Sequence, residues 1–192
     1  MPLSDPQPKP GAKHALPQPE GRRGPRHSRR RKGPLLLLAL VALCTVLAVA
    51  CFPVLEVTGD SMEPTLQSGE VLLLRRTQAP SPGQICAFQW QDKLLLKRVI
   101  AGPGDVVEID SAGVVSVNGS PLQEPYVDEP ALGECDIRFP YQVPENCYFV
   151  LGDHRETSLD SRSTVIGCVE KSRLVGCVWL RLAPLRRFAI LH

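Results

Sequence analysis

Three short segments of the chain carry residue types from which a covalent catalyst can be built. The first is Thr58-Gly59-Asp60-Ser61-Met62-Glu63-Pro64-Thr65. A glycine before and a proline after Ser61 favour a tight turn, which projects a hydroxyl and leaves backbone N–H groups free for a developing oxyanion. A serine hydroxyl is a weak nucleophile and needs a base. Of the four histidines, His14 and His27 lie near the N-terminus and His192 is the last residue, so His154 alone is placed for a serine–histidine arrangement. The other choice is an amine whose proton is made labile by burial among apolar groups. Lys97 fits it, in Leu94-Leu95-Leu96-Lys97-Arg98-Val99-Ile100. In a strand, Leu95 and Val99 share its face. Alternation favours Arg98 equally, between Leu96 and Ile100, but a guanidinium does not give up its proton in a protein. The third segment, Gly152-Asp153-His154-Arg155-Glu156-Thr157-Ser158-Leu159-Asp160-Ser161-Arg162, packs charges and hydroxyls into one loop. Such a loop orients a base, or is simply a solvated turn. Each segment also has a plain structural reading: a turn serine, a lysine snorkelling from an edge strand, and an Asp160–Arg162 pair.

The elements that must position these groups read as strands. Val54–Val57, Glu70–Arg76, Gln84–Trp90, Lys93–Ile100, Val106–Ile109, Gly113–Val117 and Tyr148–Leu151 are short apolar runs bounded by turn residues. Pro80-Ser81-Pro82-Gly83 and Gly102-Pro103-Gly104-Asp105 separate neighbours, and Asn118-Gly119 marks a two-residue hairpin turn. Residues 119–146 are Pro-rich and read as an irregular insertion. Val165–Glu170 and Leu174–Leu182 read as a closing hairpin. The fold class expected is mainly β and antiparallel.

Upstream the character changes. Residues 1–33 hold nine Lys/Arg against Asp5 and Glu20, and seven prolines. That composition cannot bury enough surface to offset its ordering entropy and reads as a disordered basic tail. Residues 34–52 contain no charge and read as one transmembrane anchor, since a helix of that length spans about 28 Å. The basic flank precedes it, so the positive-inside rule keeps 1–33 cytoplasmic and exports 53–192. The same flank, apolar run and Ala48-Val49-Ala50 also resemble a cleavable signal peptide, with Cys51 as a poor lipid-attachment site. Either way the domain over 53–192 is exported. It carries 13 basic and 18 acidic residues, the wrong sign for a nucleic-acid-binding surface. The seven cysteines include no C-x-x-C pair, so neither a metal site nor a redox motif is expected. A hairpin turning at Lys171–Leu174 sets Cys168 opposite Cys177, and Cys135 and Cys147 flank the irregular segment; these are the two disulfides expected.

Taken together the three segments resemble type I signal peptidases. The nucleophile motif is matched by Gly59-Asp60-Ser61-Met62-Glu63-Pro64-Thr65, and the lysine strand with its following turn by Lys97-Arg98-Val99-Ile100-Ala101-Gly102-Pro103-Gly104-Asp105. Residues 152–162 match the third motif, with His154 where the family usually has asparagine. The resemblance implies a fold of coiled antiparallel sheets and a membrane-bound serine endopeptidase with Ser61 as nucleophile and Lys97 as general base. It implies that Ser158 holds the lysine amine, that Asp160 and Arg162 shape the site, and that Gly152 lies beside the lysine. Gly59 stands where some members carry a second oxyanion donor, which must then come from elsewhere. The implied substrates are signal peptides of exported preproteins, cut after Ala-x-Ala-like sequences, with no cofactor and no metal. The implied partner is the phospholipid bilayer rather than nucleic acid, and the chain is expected to act as a monomer. A related peptidase with one dedicated substrate and a non-enzymatic tethered binding domain are the rival readings.

Overall fold

The computed structural model describes residues 33–191, with the backbone alone for residues 33 and 47–51. The readings of 1–32 as a disordered tail lie outside the described residues. Helix α1 runs Gly33–Cys51. Where its side chains are described, over residues 34–46, they are exposed and almost all apolar. Among the residues whose side chains are described, 34–46 in α1, no helical stretch is long and apolar enough to cross a membrane.

Strands β1 (Val54–Glu56), β2 (Val71–Arg75), β3 (Ile85–Trp90) and β4 (Lys93–Ala101) follow. Then come β5 (Val106–Ile109), β6 (Val115–Val117), β7 (Ser120–Pro121), β8 (Tyr141–Gln142) and β9 (Cys147–Leu151). Strands β10 (Val169–Glu170), β11 (Leu174–Ala183) and β12 (Ala189–Ile190) complete the described chain. The larger sheet has the order β1-β2-β11-β3-β4-β9-β10, with β12 added to β11, and the smaller has the order β7-β6-β5-β8. Every pairing is antiparallel, as the apolar runs and turn residues predict. The β6–β7 turn has φ of 52° at Asn118 and 77° at Gly119, the left-handed geometry that makes asparagine–glycine the preferred pair.

Strand β9 shows why the sheets hold together. All five of its residues are buried, because each face meets a different core. Cys147, Phe149 and Leu151 join Val107, Ile109, Val115 and Val143 between the sheets. Tyr148 and Val150 join Cys86, Phe88, Val99 and Cys177 on the other side. Strand β4 divides in the same way, with Ile100 in the first core and Val99 in the second. Lys97 therefore has the parity of Val99, and Arg98 that of Ile100.

The expected closing hairpin does not form. Strand β10 pairs with β9, whereas β11 inserts between β2 and β3. A short 3-10 turn at Lys171–Arg173 separates the two and carries the chain away instead of folding it back. That corrects both disulfides. Cys177 lies opposite Cys86 in the β11–β3 register, and those two residues form the disulfide. Cys135, Cys147 and Cys168 are free thiols. The ten-residue β11 pairs with two neighbours, β2 and β3, and so lies away from β10.

Candidate active site

Ser61 sits in a turn between β1 and β2. The turn is pinned from below, since Met62 and Leu66 are buried with Ile85, Leu72 and Val178. Its backbone is closed by Glu63 N–H donating to the Asp60 carbonyl (2.8 Å) and Leu66 N–H donating to the Met62 carbonyl (2.8 Å). Gly59 has φ of +90° with open space where a Cβ would stand. An L side chain there meets no neighbour but must adopt a backbone it rarely tolerates, so the glycine sets the path of the turn into Ser61.

Lys97 projects from β4 with 3% of its surface exposed. Its amine donates to Ser61 Oγ at 2.7 Å and to Ser158 Oγ at 2.9 Å. Both partners are neutral hydroxyls. Burial therefore dominates and pushes the ammonium pKa down to about 8; Asp160 opposes this, Arg162 reinforces it, and Asp153 and Asp60 oppose it more weakly. An amine of that pKa is neutral in roughly one molecule in ten at pH 7, against far fewer for a solvated lysine.

The loop 152–162 delivers Ser158 to the amine. Ser158 N–H donates to the His154 carbonyl (3.1 Å), and His154 N–H donates to the Ser61 carbonyl (3.2 Å), so one turn touches both hydroxyl-bearing segments. Gly152 has no room for a side chain: a Cβ would lie 2.1 Å from Ser158 Oγ and 2.5 Å from the Ser61 carbonyl. Gly152 N–H donates to Asp160 Oδ2 at 2.9 Å. Asp160 in turn accepts from Arg162 Nε at 2.8 Å and Nη2 at 2.9 Å. The fully buried Arg162 guanidinium also donates to the carbonyls of Leu132 (2.7 Å), Arg155 (2.8 Å) and Ser158 (3.2 Å). The structure thus brings Ser61, Lys97, Ser158, Gly152, Asp160 and Arg162 into one connected cluster, with Gly59 shaping its entrance. The His154 ring lies aside, its Nδ1 3.1 Å from Thr157 Oγ1 and 3.9 Å from Asp60.

Sequence reasoning missed a second set of charges. Arg98 is 6% exposed and clamps Asp153 with Nε (2.8 Å) and Nη2 (2.5 Å). Arg155, buried still more fully, pairs with Glu124 through both terminal nitrogens. The signal was present: an arginine inside an apolar strand requires a buried anion, and Asp153 lies in the polar loop that follows the buried strand β9.

Beside Ser61 a cleft of about 370 Å³ is lined by Leu55, Val57, Thr58, Leu94, Leu95 and Leu96, among others. Two strand edges face it. Strand β1 is the edge of the larger sheet. Strand β4 pairs with β9 only from Arg98 onward, which leaves that edge of Lys93–Lys97 without a neighbour in the sheet.

A seryl hydroxyl thus rests on a desolvated amine beside an open cleft, and comparison with known proteins gives the chain a family. Residues 30–183 match the family described as signal peptidase, peptidase S26. The chain belongs to this family of serine endopeptidases. It is 36% identical over 147 residues to a probable signal peptidase I-2 of Synechocystis sp., covering 70% of this chain and 65% of that protein. It is 34% identical over 153 residues to a signal peptidase I of Bacillus licheniformis, covering 73% and 81%. A solved signal peptidase I from Enterococcus faecalis V583 aligns with a TM-score of 0.42 at 30% identity, over 52% of this chain and 96% of that one.

Proposed function

We propose that this chain is a membrane-anchored signal peptidase that removes the signal peptides of exported preproteins. Ser61 is the nucleophile and Lys97 the general base. The observation that carries this reading is the 2.7 Å contact between a buried amine and the Ser61 hydroxyl. Neutral Lys97 takes the Oγ proton as Oγ attacks the scissile carbonyl carbon. The Ser61 backbone N–H stabilises the oxyanion. The lysine proton then passes to the leaving amine of the mature protein, and a water activated by the same amine hydrolyses the acyl-enzyme. Ser158 holds the amine between these steps, and Gly152, Asp160 and Arg162 hold Ser158. Gly59 contributes conformation rather than a donor, so the second oxyanion donor is a backbone group or water.

The substrate enters as an added strand between β1 and the free edge of Lys93–Lys97, main chain to main chain. Leu55, Val57 and Leu96 line the cleft, an apolar surface that suits the small side chains of Ala-x-Ala-like sites. Residues 34–52 form the anchor and residues 53–192 the extracytoplasmic catalytic domain, with 1–33 cytoplasmic and 119–146 an insertion in the domain. Support for the anchor is the exposed apolar surface of α1, with Leu35 76% exposed, and its junction with the domain. There Phe52 packs on Trp179 with ring centroids 5.7 Å apart. The enzyme acts as a monomer at the bilayer surface, without cofactor, metal or nucleic acid. Full-length protein in lipid vesicles should cleave a preprotein, and Ser61→Ala should not. Cleavage by Ser61→Ala would end the serine mechanism, while failure of the wild type on every general preprotein would leave a dedicated substrate.

A further inference from the structure

Outside the site just described, the largest unexplained investment of buried charge is the ring of side chains around Asp153 and Arg155. It is completed from a distant part of the chain, the irregular stretch after β7. Tyr126 lays its ring under the Arg98 guanidinium, 3.8 Å from the centroid. The Tyr126 hydroxyl donates to Glu124 Oε1 at 3.0 Å. Glu124 accepts from both terminal nitrogens of Arg155, and Arg155 Nε donates to the Gly152 carbonyl at 3.0 Å. Arg98 closes the ring onto Asp153. The ring therefore runs Arg98, Asp153, the Gly152 backbone, Arg155, Glu124, Tyr126 and back to Arg98. Burial, and then the Glu124 carboxylate, push the Tyr126 phenol pKa upward, so the hydroxyl remains a donor at every working pH.

We propose that Glu124 and Tyr126 are positioning residues for the reaction, holding Gly152 where its missing side chain admits Ser158 against the Lys97 amine. Neither residue reaches the dyad. They act through Arg155 and Arg98, one fixing the Gly152 carbonyl and the other fixing Asp153 next to it. Gly152 leaves no slack, because a Cβ there would lie 2.1 Å from Ser158 Oγ and 2.5 Å from the Ser61 carbonyl oxygen. A shift of a few tenths of an ångström there moves Ser158 relative to Lys97, and small displacements of a reacting geometry cost rate steeply. The same shift admits water to the amine. Lys97 faces Asp160, Arg162, Asp153 and Asp60, but burial is the largest influence on its amine, so lost desolvation moves the amine pKa upward.

The inference rests on the Ser61–Lys97 reading, and the experiment separates the two. Full-length protein in vesicles is assayed on one preprotein across pH, with kcat, KM and Tm measured for Glu124→Gln, Tyr126→Leu and Tyr126→Phe. Ser61→Ala and Lys97→Ala serve as reference. Glu124→Gln and Tyr126→Leu should lower kcat by about tenfold to a hundredfold with KM little changed, and should move the acid limb of the profile to higher pH. Tyr126→Phe keeps the ring on Arg98 and should fall between wild type and Tyr126→Leu. If Glu124→Gln fails to fold, the order of the two Tyr126 variants and their limbs decide. Variants of lower Tm but unchanged kcat and unchanged limb would reduce the ring to a structural brace and overturn the proposal. Activity surviving in Ser61→Ala or Lys97→Ala would instead overturn the reading of the dyad.

Discussion

Lys97 and Arg98 are adjacent, buried and cationic in type, yet the two faces of β4 treat them in opposite ways. On one face the amine of Lys97 meets two hydroxyls and no carboxylate within hydrogen-bond reach. On the other the guanidinium of Arg98 meets a bidentate carboxylate, a backbone carbonyl and an aromatic ring. The first environment lowers the charge's stability and frees a lone pair. The second retains the charge and uses it as a structural pin. A general base and a pin differ here in their partners, not in their depth.

Mutations that attack either side of this contrast differ in size. Removing a dyad member has the largest effect: Ser61→Ala or Lys97→Ala should lower kcat/KM by at least about 1,000-fold in a preprotein cleavage assay. Next, Asp153→Ala strands Arg98 without its anion and should destabilise the fold by about 3–5 kcal/mol in denaturant titration. Lys97→Met should do the reverse for stability while abolishing turnover. The folded-state pKa of Lys97, about 8, lies below its ordinary value of 10.5. Folding therefore disfavours the protonated lysine, a cost fully present below pH 8 and lost as pH rises through 8 toward 10.5. The Met variant should thus be more stable than wild type by about 1–3 kcal/mol at pH 7, with the gap closing in alkaline solution. His154→Asn should have the smallest effect, leaving kcat within about threefold, because the backbone of residue 154 rather than its ring touches Ser61.

Much of one face was legible in the sequence and little of the other. Ser61 and Lys97 stood out as candidates because their signals are local, a glycine–proline turn and an apolar strand, whereas Ser158 was singled out only through the resemblance to signal peptidases. Most strand positions were readable too, since period-2 runs and turn residues are short-range signals. Arg98 was set aside once it was excluded as a base, although its burial demanded an anion. Glu124 and Tyr126 sit about thirty residues from the loop they brace, in a segment with no periodicity to mark which side faces inward. The disulfide was misassigned for a related reason. Local hairpin logic paired Cys168 with Cys177, whereas the sheet inserts β11 beside β3, 91 residues away in sequence at the cysteines.

The most direct test of the contrast is the pH dependence of kcat/KM for preprotein cleavage by the full-length protein in vesicles. A neutral buried lysine as base predicts a rate that climbs with unit slope and levels near pH 8, the pKa of Lys97. A profile that levels instead near about pH 6.5, the range of an ordinary imidazole, and loses that limb in His154→Asn would contradict it.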